Sequence, residues 1–141
     1  MNSANWLILA ILVLAMTLCS NTTTSSDGES LVIAHRGASS LAPENTMAAL
    51  YAALRLGVDM VEIDVHRSSD GELVVIHDAT VDRTTNGQGA VNRLTLAELQ
   101  ALDAGSWFGH SFENERIPTL REVLEAVRDK AVALVKLKGQ R

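Results

Sequence analysis

Leu31-Val32-Ile33-Ala34-His35-Arg36-Gly37, followed by Met60-Val61-Glu62-Ile63-Asp64-Val65, decides the fold. The first four residues are a short unbroken apolar run, the pattern of a strand covered on both faces of a sheet. Between the two segments Met47, Leu50, Leu54 and Val58 recur at offsets of three, four and four, which is one face of a helix. Asn45 or Thr46 can cap its start, and Gly57 can take the left-handed conformation that ends it. Strand, helix and strand make a βαβ unit, which predicts two parallel strands joined by a right-handed crossover.

In the second strand Val61, Ile63 and Val65 alternate with Met60, Glu62 and Asp64, so both carboxylates project from one side, about 6.6 to 7 Å apart along the strand. Paired acids on a half-exposed strand would simply face water. A parallel sheet covered by helices has no solvated face, so these acids are expected to line a pocket at the carboxyl edge. Arg67 to Gly71 reads as a turn. Glu72 to Ile76 is then a third extended segment, expected to lie parallel to its neighbours and to bring His77 to the same edge as His35 and Arg36.

From 79 to 117 the alternation of strands and helices is interrupted, which marks an insertion. Thr84-Thr85-Asn86-Gly87 suggests a tight loop. Thr95-Leu96-Ala97-Glu98 has capping-box spacing and opens a short helix through Leu102. Trp107, Phe108 and Phe112 form an aromatic cluster, read as packing rather than a lid. A second capping box at Thr119 to Glu122 opens a helix with Leu120, Val123, Leu124 and Val127 inside, and the chain returns as a strand over Ala131 to Leu137.

The 141 residues, 47% hydrophobic, suit one domain of ordinary size. A formal net charge of -5 without a Lys/Arg cluster, and only 4% aromatic residues, exclude a nucleic-acid partner and favour a compact ligand. The first 26 residues carry no charged side chain and are apolar from Trp6 to Leu18 apart from Thr17. That run is shorter than the roughly 20 residues a spanning helix needs and matches the core of a secretory signal. Residues 1–20 are therefore expected to direct export, to a periplasmic or extracellular location, with an N-terminal membrane anchor as the alternative. Cys19, the single cysteine, excludes an intramolecular disulfide and lies where a processing site would fall. Residues 21–30 read as a polar linker, with 31–141 as the folded domain.

His35-Arg36-Gly37, Pro43-Glu44-Asn45-Thr46, Glu62-Ile63-Asp64-Val65, Asp70-Gly71, His77-Asp78 and Ile117-Pro118-Thr119-Leu120 resemble, in order, the signature segments of the glycerophosphodiester phosphodiesterases. The resemblance implies an α/β fold, a (β/α)8 TIM barrel with a small insertion after its second strand. It also implies hydrolysis of a small-molecule glycerophosphodiester to glycerol 3-phosphate and an alcohol. His35 and His77 match the family's general acid and base, Arg36 and Lys138 its substrate-binding cations, and Glu62 and Asp64 two ligands of a divalent metal, Ca²⁺ or Mg²⁺. The chemistry agrees with these roles: imidazoles exchange protons near neutral pH, a guanidinium grips phosphate oxygens, and hard cations prefer carboxylates.

Two departures stand out. At Val135-Lys136-Leu137-Lys138 the family pattern is apolar, Glu, apolar, Lys, so Lys136 replaces the third metal-binding carboxylate and reverses its charge. A closed barrel also takes about 250 residues, so this chain is expected to be an incomplete barrel holding the first three parallel strands. Two expectations follow: a phosphoric diester hydrolase impaired by truncation, or a catalytically inactive relative that at most binds phosphodiesters or a partner.

Overall fold

The computed structural model describes residues 30–139, so the expectations for a signal or anchor over 1–20 and for most of the linker lie outside the described residues. The described chain is an α/β unit of four strands and three helices: β1 (Ile33–Ala34), α1 (Met47–Leu56), β2 (Met60–Arg67), β3 (Leu73–Val75), α2 (Leu96–Ala101), α3 (Leu120–Val127) and β4 (Val132–Leu137). Single 3-10 turns lie at Val91–Arg93 and His110–Phe112. No helix among the described residues is long and apolar enough to cross a membrane.

β2 is the central strand. β1 pairs with it in parallel, Ile33 opposite Met60, and β4 runs parallel along its other side, from Met60 opposite Val132 to Val65 opposite Leu137. These are the three parallel strands of a partial barrel. β3 differs from expectation: it is antiparallel to β2, with Val65 opposite Val75 and Arg67 opposite Leu73. The reason is reach. Only residues 68–72 separate the two strands, whereas a parallel return needs a crossover of about a dozen residues. Ser68 closes this hairpin, its hydroxyl donating to Asp70 Oδ1 at 2.6 Å and its N–H donating to the Glu72 carbonyl at 2.9 Å.

α1 starts where Thr46 Oγ1 accepts from the Ala49 N–H and ends at Gly57, whose φ of 69° is left-handed. Its buried side is Ala49, Leu50, Ala52 and Ala53, with Met47 and Leu54 partly covered. The alanines let the helix lie close against Val61, Ile63 and Val65 of β2, and Val123 and Val127 of α3 complete this core. Each such valine or leucine contributes about 1.5–3 kcal/mol through burial. Both capping boxes form, at Thr95 with Glu98 and at Thr119 with Glu122.

The insertion has a core of its own, in which Val74 and Ile76 of the β3 region meet Val81, Val91, Leu99, Ala104 and Ile117. Its loop is tied at the base by a bridge between Thr80 and Ala90. The three aromatic rings pack edge to face, at 5.7 Å for Trp107 with Phe108 and 5.4 Å for Phe108 with Phe112. Leu31, Val32 and Ile33 at one side of the sheet, and Val132, Leu134 and Leu137 at the other, are exposed.

Candidate active site

Because Val61, Ile63 and Val65 face the helices, the alternate residues Glu62 and Asp64 face the opposite side of the sheet, where they are 2% and 0% exposed. Buried carboxylates need partners, and here partners arrive from both flanking strands. On the β1 side the chain turns sharply at Arg36, which has a left-handed φ of 55°. That turn lets the Arg36 N–H donate to Glu62 Oε2 at 2.9 Å, while its guanidinium reaches Glu44 Oε1 at 2.9 Å and lies 3.6 Å from Asp64 Oδ2. Asn45, with φ 58°, clips the following loop to β2: its amide donates to Asp64 Oδ2 and its side-chain oxygen accepts from the Asp64 N–H, both at 3.3 Å.

On the other side β4 supplies two lysines. Lys136 is the register partner of Asp64, yet its ammonium leans back to Glu62 Oε1 at 2.7 Å. Lys138 makes the same diagonal reach to Asp64 Oδ1, at 3.0 Å. Burial pushes the Asp64 carboxyl upward, but Lys138 and Asn45 outweigh it and hold the group below its ordinary range. Glu62 in turn raises the affinity of Lys136 for its proton.

His35 projects from the end of β1 and is largely exposed, with Nε2 3.9 Å from Glu62 Oε2. His77, at the end of the β3 segment, lies in a second chain of contacts. Its Nδ1 is 2.6 Å from Asp78 Oδ1, Arg83 Nε donates to Asp78 Oδ2 at 2.6 Å, and the same guanidinium donates twice to Glu44, at 3.0 and 2.7 Å. Glu44 therefore bridges Arg83 to Arg36, and the two histidines belong to one connected polar network. Arg83, with His77 assisting, holds the Asp78 carboxyl down at about 2 against the opposing effect of its partial burial. An ionised carboxylate only accepts, so the His77 Nδ1 must carry the hydrogen, leaving Nε2 as the basic atom of the neutral ring.

All six expected site residues, His35, Arg36, Glu62, Asp64, His77 and Lys138, thus fall on one side of the sheet or at its edge. His66 has a structural role, its Nε2 lying 3.1 Å from the His77 carbonyl, and His110 sits out at the surface of the insertion. Arg83 was not foreseen. It is an isolated arginine within the insertion, 39 residues from Glu44, and no periodicity or motif marks it.

One pH effect follows directly. A carboxyl depressed from about 3.9 in the unfolded chain contributes stability above that value, and this is lost as pH falls through the folded value. Denaturant midpoints measured between pH 5 and pH 2 should therefore fall further for the wild type than for Asp78→Asn, with most of the difference appearing between pH 4 and the folded value of about 2.

Parallel strands on a helical layer, with acids, imidazoles and a guanidinium gathered where the strands end, define an α/β protein of the barrel type with a polar site at its strand ends. The glycerophosphoryl diester phosphodiesterase family model matches residues 35–141, and the chain belongs to that family. A glycerophosphodiester phosphodiesterase of Caldanaerobacter subterraneus subsp. tengcongensis is 59% identical over 102 residues, covering 72% of this chain and 42% of the relative. The crystal structure of a glycerophosphodiester phosphodiesterase from Agrobacterium tumefaciens superimposes with a TM-score of 0.76 at 46% identity, over 78% of this chain and 48% of that one. An Oleispira antarctica phosphodiesterase, solved in complex with the product sn-glycerol-3-phosphate, superimposes with a TM-score of 0.75 at 47% identity, over 77% of this chain and 44% of that one. The chain spans less than half the length of the curated relatives it matches.

Enzymes of this family generally depend on a divalent metal. The donors present here do not fit one. Among the described residues no three His, Asp, Glu or Cys side chains are grouped to hold an ion. The two carboxylates expected as ligands are both engaged, Glu62 Oε1 by the Lys136 ammonium and Asp64 Oδ1 by that of Lys138, and neither buried oxygen has a further partner.

Proposed function

We propose that this site binds the phosphate of a glycerophosphodiester and hydrolyses it to glycerol 3-phosphate and an alcohol. The supporting observation is the relay His77–Asp78–Arg83–Glu44–Arg36, which links the His77 imidazole to the Arg36 guanidinium through three ion pairs and one hydrogen bond. Arg36 presents its fork to two phosphate oxygens, and Lys138 adds a point charge beside it. His77 Nε2 takes a proton from the attacking oxygen as the new P–O bond forms. Protonated His35, the more exposed ring, gives a proton to the departing alkoxide as the old P–O bond breaks. Exchange with solvent then restores both rings.

The product held by the Oleispira antarctica relative is the monoester this reaction would leave, which supports the same substrate class here. The apolar, uncharged N-terminal run supports action outside the cytoplasm or at a membrane surface. The test is release of glycerol 3-phosphate from glycerophosphocholine by the purified chain. His77→Ala and His35→Ala should each lower the rate by about 10²–10⁴. A wild-type rate no higher than that of His35→Ala would overturn the reading.

A second reading is favoured by Lys136, whose ammonium lies 2.7 Å from Glu62 Oε1. In it the chain binds phosphodiesters without cleaving them, and calorimetry would then show glycerol 3-phosphate binding with no turnover.

A further inference from the structure

We infer that the Lys136 ammonium stands in for a divalent cation on the Glu62–Asp64 face, so that this chain binds a phosphate group through three fixed organic cations, without metal. The inference rests on the phosphodiester reading above and adds how the anion is held.

Position carries the first part of the argument. Lys136 comes from the strand lying directly against the two acids, its Cα in register with Asp64 and its Nζ 2.7 Å from Glu62 Oε1. An ammonium there lies against the Glu62 oxygen that a cation shared by the two carboxylates would have to reach. Two charges of the same sign do not share such a space without a strong compensating anion. Glu62 Oε1 and Asp64 Oδ1 are buried and make no hydrogen bond, so each relies on its lysine. Removing either lysine from a bound state would leave a buried acid unmatched.

Charge carries the second part. Arg36, Lys136 and Lys138 bring three positive charges against the two negative ones of Glu62 and Asp64, one net positive charge among these five groups, while Glu44 is shared between Arg36 and Arg83. A carboxylate at 136 together with a divalent cation would bring minus one and plus two, the same contribution as one lysine. The field offered to a phosphodiester, which carries a single negative charge, is therefore preserved by Lys136 alone. Its side chain is half exposed, so the ammonium has donors free to turn toward an incoming phosphate oxygen while it remains against Glu62.

The experiment is calorimetry on the purified chain, first with CaCl₂ or MgCl₂ alone and then with sn-glycerol 3-phosphate in EDTA and in Ca²⁺. The wild type should show no saturable heat with either metal, and should bind glycerol 3-phosphate with the same Kd in EDTA as in Ca²⁺. Lys136→Glu should bind metal, should lose roughly a hundredfold in glycerol 3-phosphate affinity in EDTA through a lost charge-assisted bond and a new repulsion, and should regain it in Ca²⁺. Lys136→Gln should lose about tenfold and bind metal no better than wild type. The wild-type titrations need no variant to fold, and circular dichroism establishes whether each variant has. Saturable metal binding by the wild type, glycerol 3-phosphate binding that EDTA abolishes, or no glycerol 3-phosphate binding at all would each overturn the inference. Turnover of glycerophosphocholine that requires metal would sink it while leaving the hydrolase reading intact, and metal-free binding without turnover would do the reverse.

Discussion

Replacing Lys138 by methionine is expected to destabilise the domain by about 3 kcal/mol, near the lower end of the range for stranding one member of a buried ion pair. Asp64 is fully buried, and Lys138 makes its closest ionic contact, at 3.0 Å. What remains is a guanidinium nitrogen at 3.6 Å and an amide at 3.3 Å, both too long to compensate a full charge. In the wild type the Asp64 carboxyl lies below its ordinary value, so its contribution is present near neutral pH and fades as acid is added. In the variant the lowering effect of Lys138 is gone, the folded carboxyl rises, and stability relative to wild type improves as pH falls. Urea titrations at pH 7 and pH 4 read both effects, and adding Asp64→Asn to Lys138→Met should recover most of the loss. A loss below about 1 kcal/mol at pH 7 would show that the pair behaves like one at the surface.

Gly37→Ala is expected to cost more than a glycine substitution usually does, because two penalties coincide. Gly37 has φ 76°, and a left-handed conformation costs a residue with a Cβ roughly 1–2 kcal/mol. The added methyl would also lie 2.8 Å from both the carbonyl carbon and the Cβ of Ala49, where α1 crosses the turn, and overpacking of that kind costs about 1–3 kcal/mol. Gly57 separates the two terms. Its φ of 69° is nearly the same, yet nothing lies within 4 Å of where its Cβ would be. Thermal or urea unfolding should therefore show Gly57→Ala losing only the backbone part and Gly37→Ala losing about twice as much or more. Equal losses for the two variants would mean that α1 gives way at no cost. Because the Gly37 N–H donates to the Glu62 carbonyl and Arg36 precedes it, the strained variant should also weaken phosphate binding.

The βαβ start of the fold was legible because its signals are local and agree: a cap at Thr46, a left-handed stop at Gly57 and strict alternation along β2. The six motif segments reached further and singled out His35, Arg36, Glu62, Asp64 and His77, and the Val135-Lys136-Leu137-Lys138 pattern added Lys138. The direction of β3 was misjudged because an apolar run carries no orientation; the short turn at 68–72 did, through the reach of the chain. Arg83 and the paired role of Glu44 stayed hidden for a different reason. Their contact joins the insertion to the loop after β1, and a long-range salt bridge between single residues leaves no period to detect. The lysine contacts are similar. Lys136 was seen as a missing carboxylate, but its diagonal lean onto Glu62 depends on the register of β4 against β2.

That register has a bearing on how the chain assembles. The β2–β3 hairpin closes over a few residues, whereas Asp64 and Lys136 are separated by 72 positions, the difference of their numbers, so β4 docks across a long loop and is expected to arrive after the hairpin. Until it does, Glu62 and Asp64 sit on an uncovered strand face with only Arg36 and Asn45 to offset them, and water must remain there. Drying of that face and docking of the last strand are then expected to be a single event, which makes the acid pair a checkpoint on the order of folding.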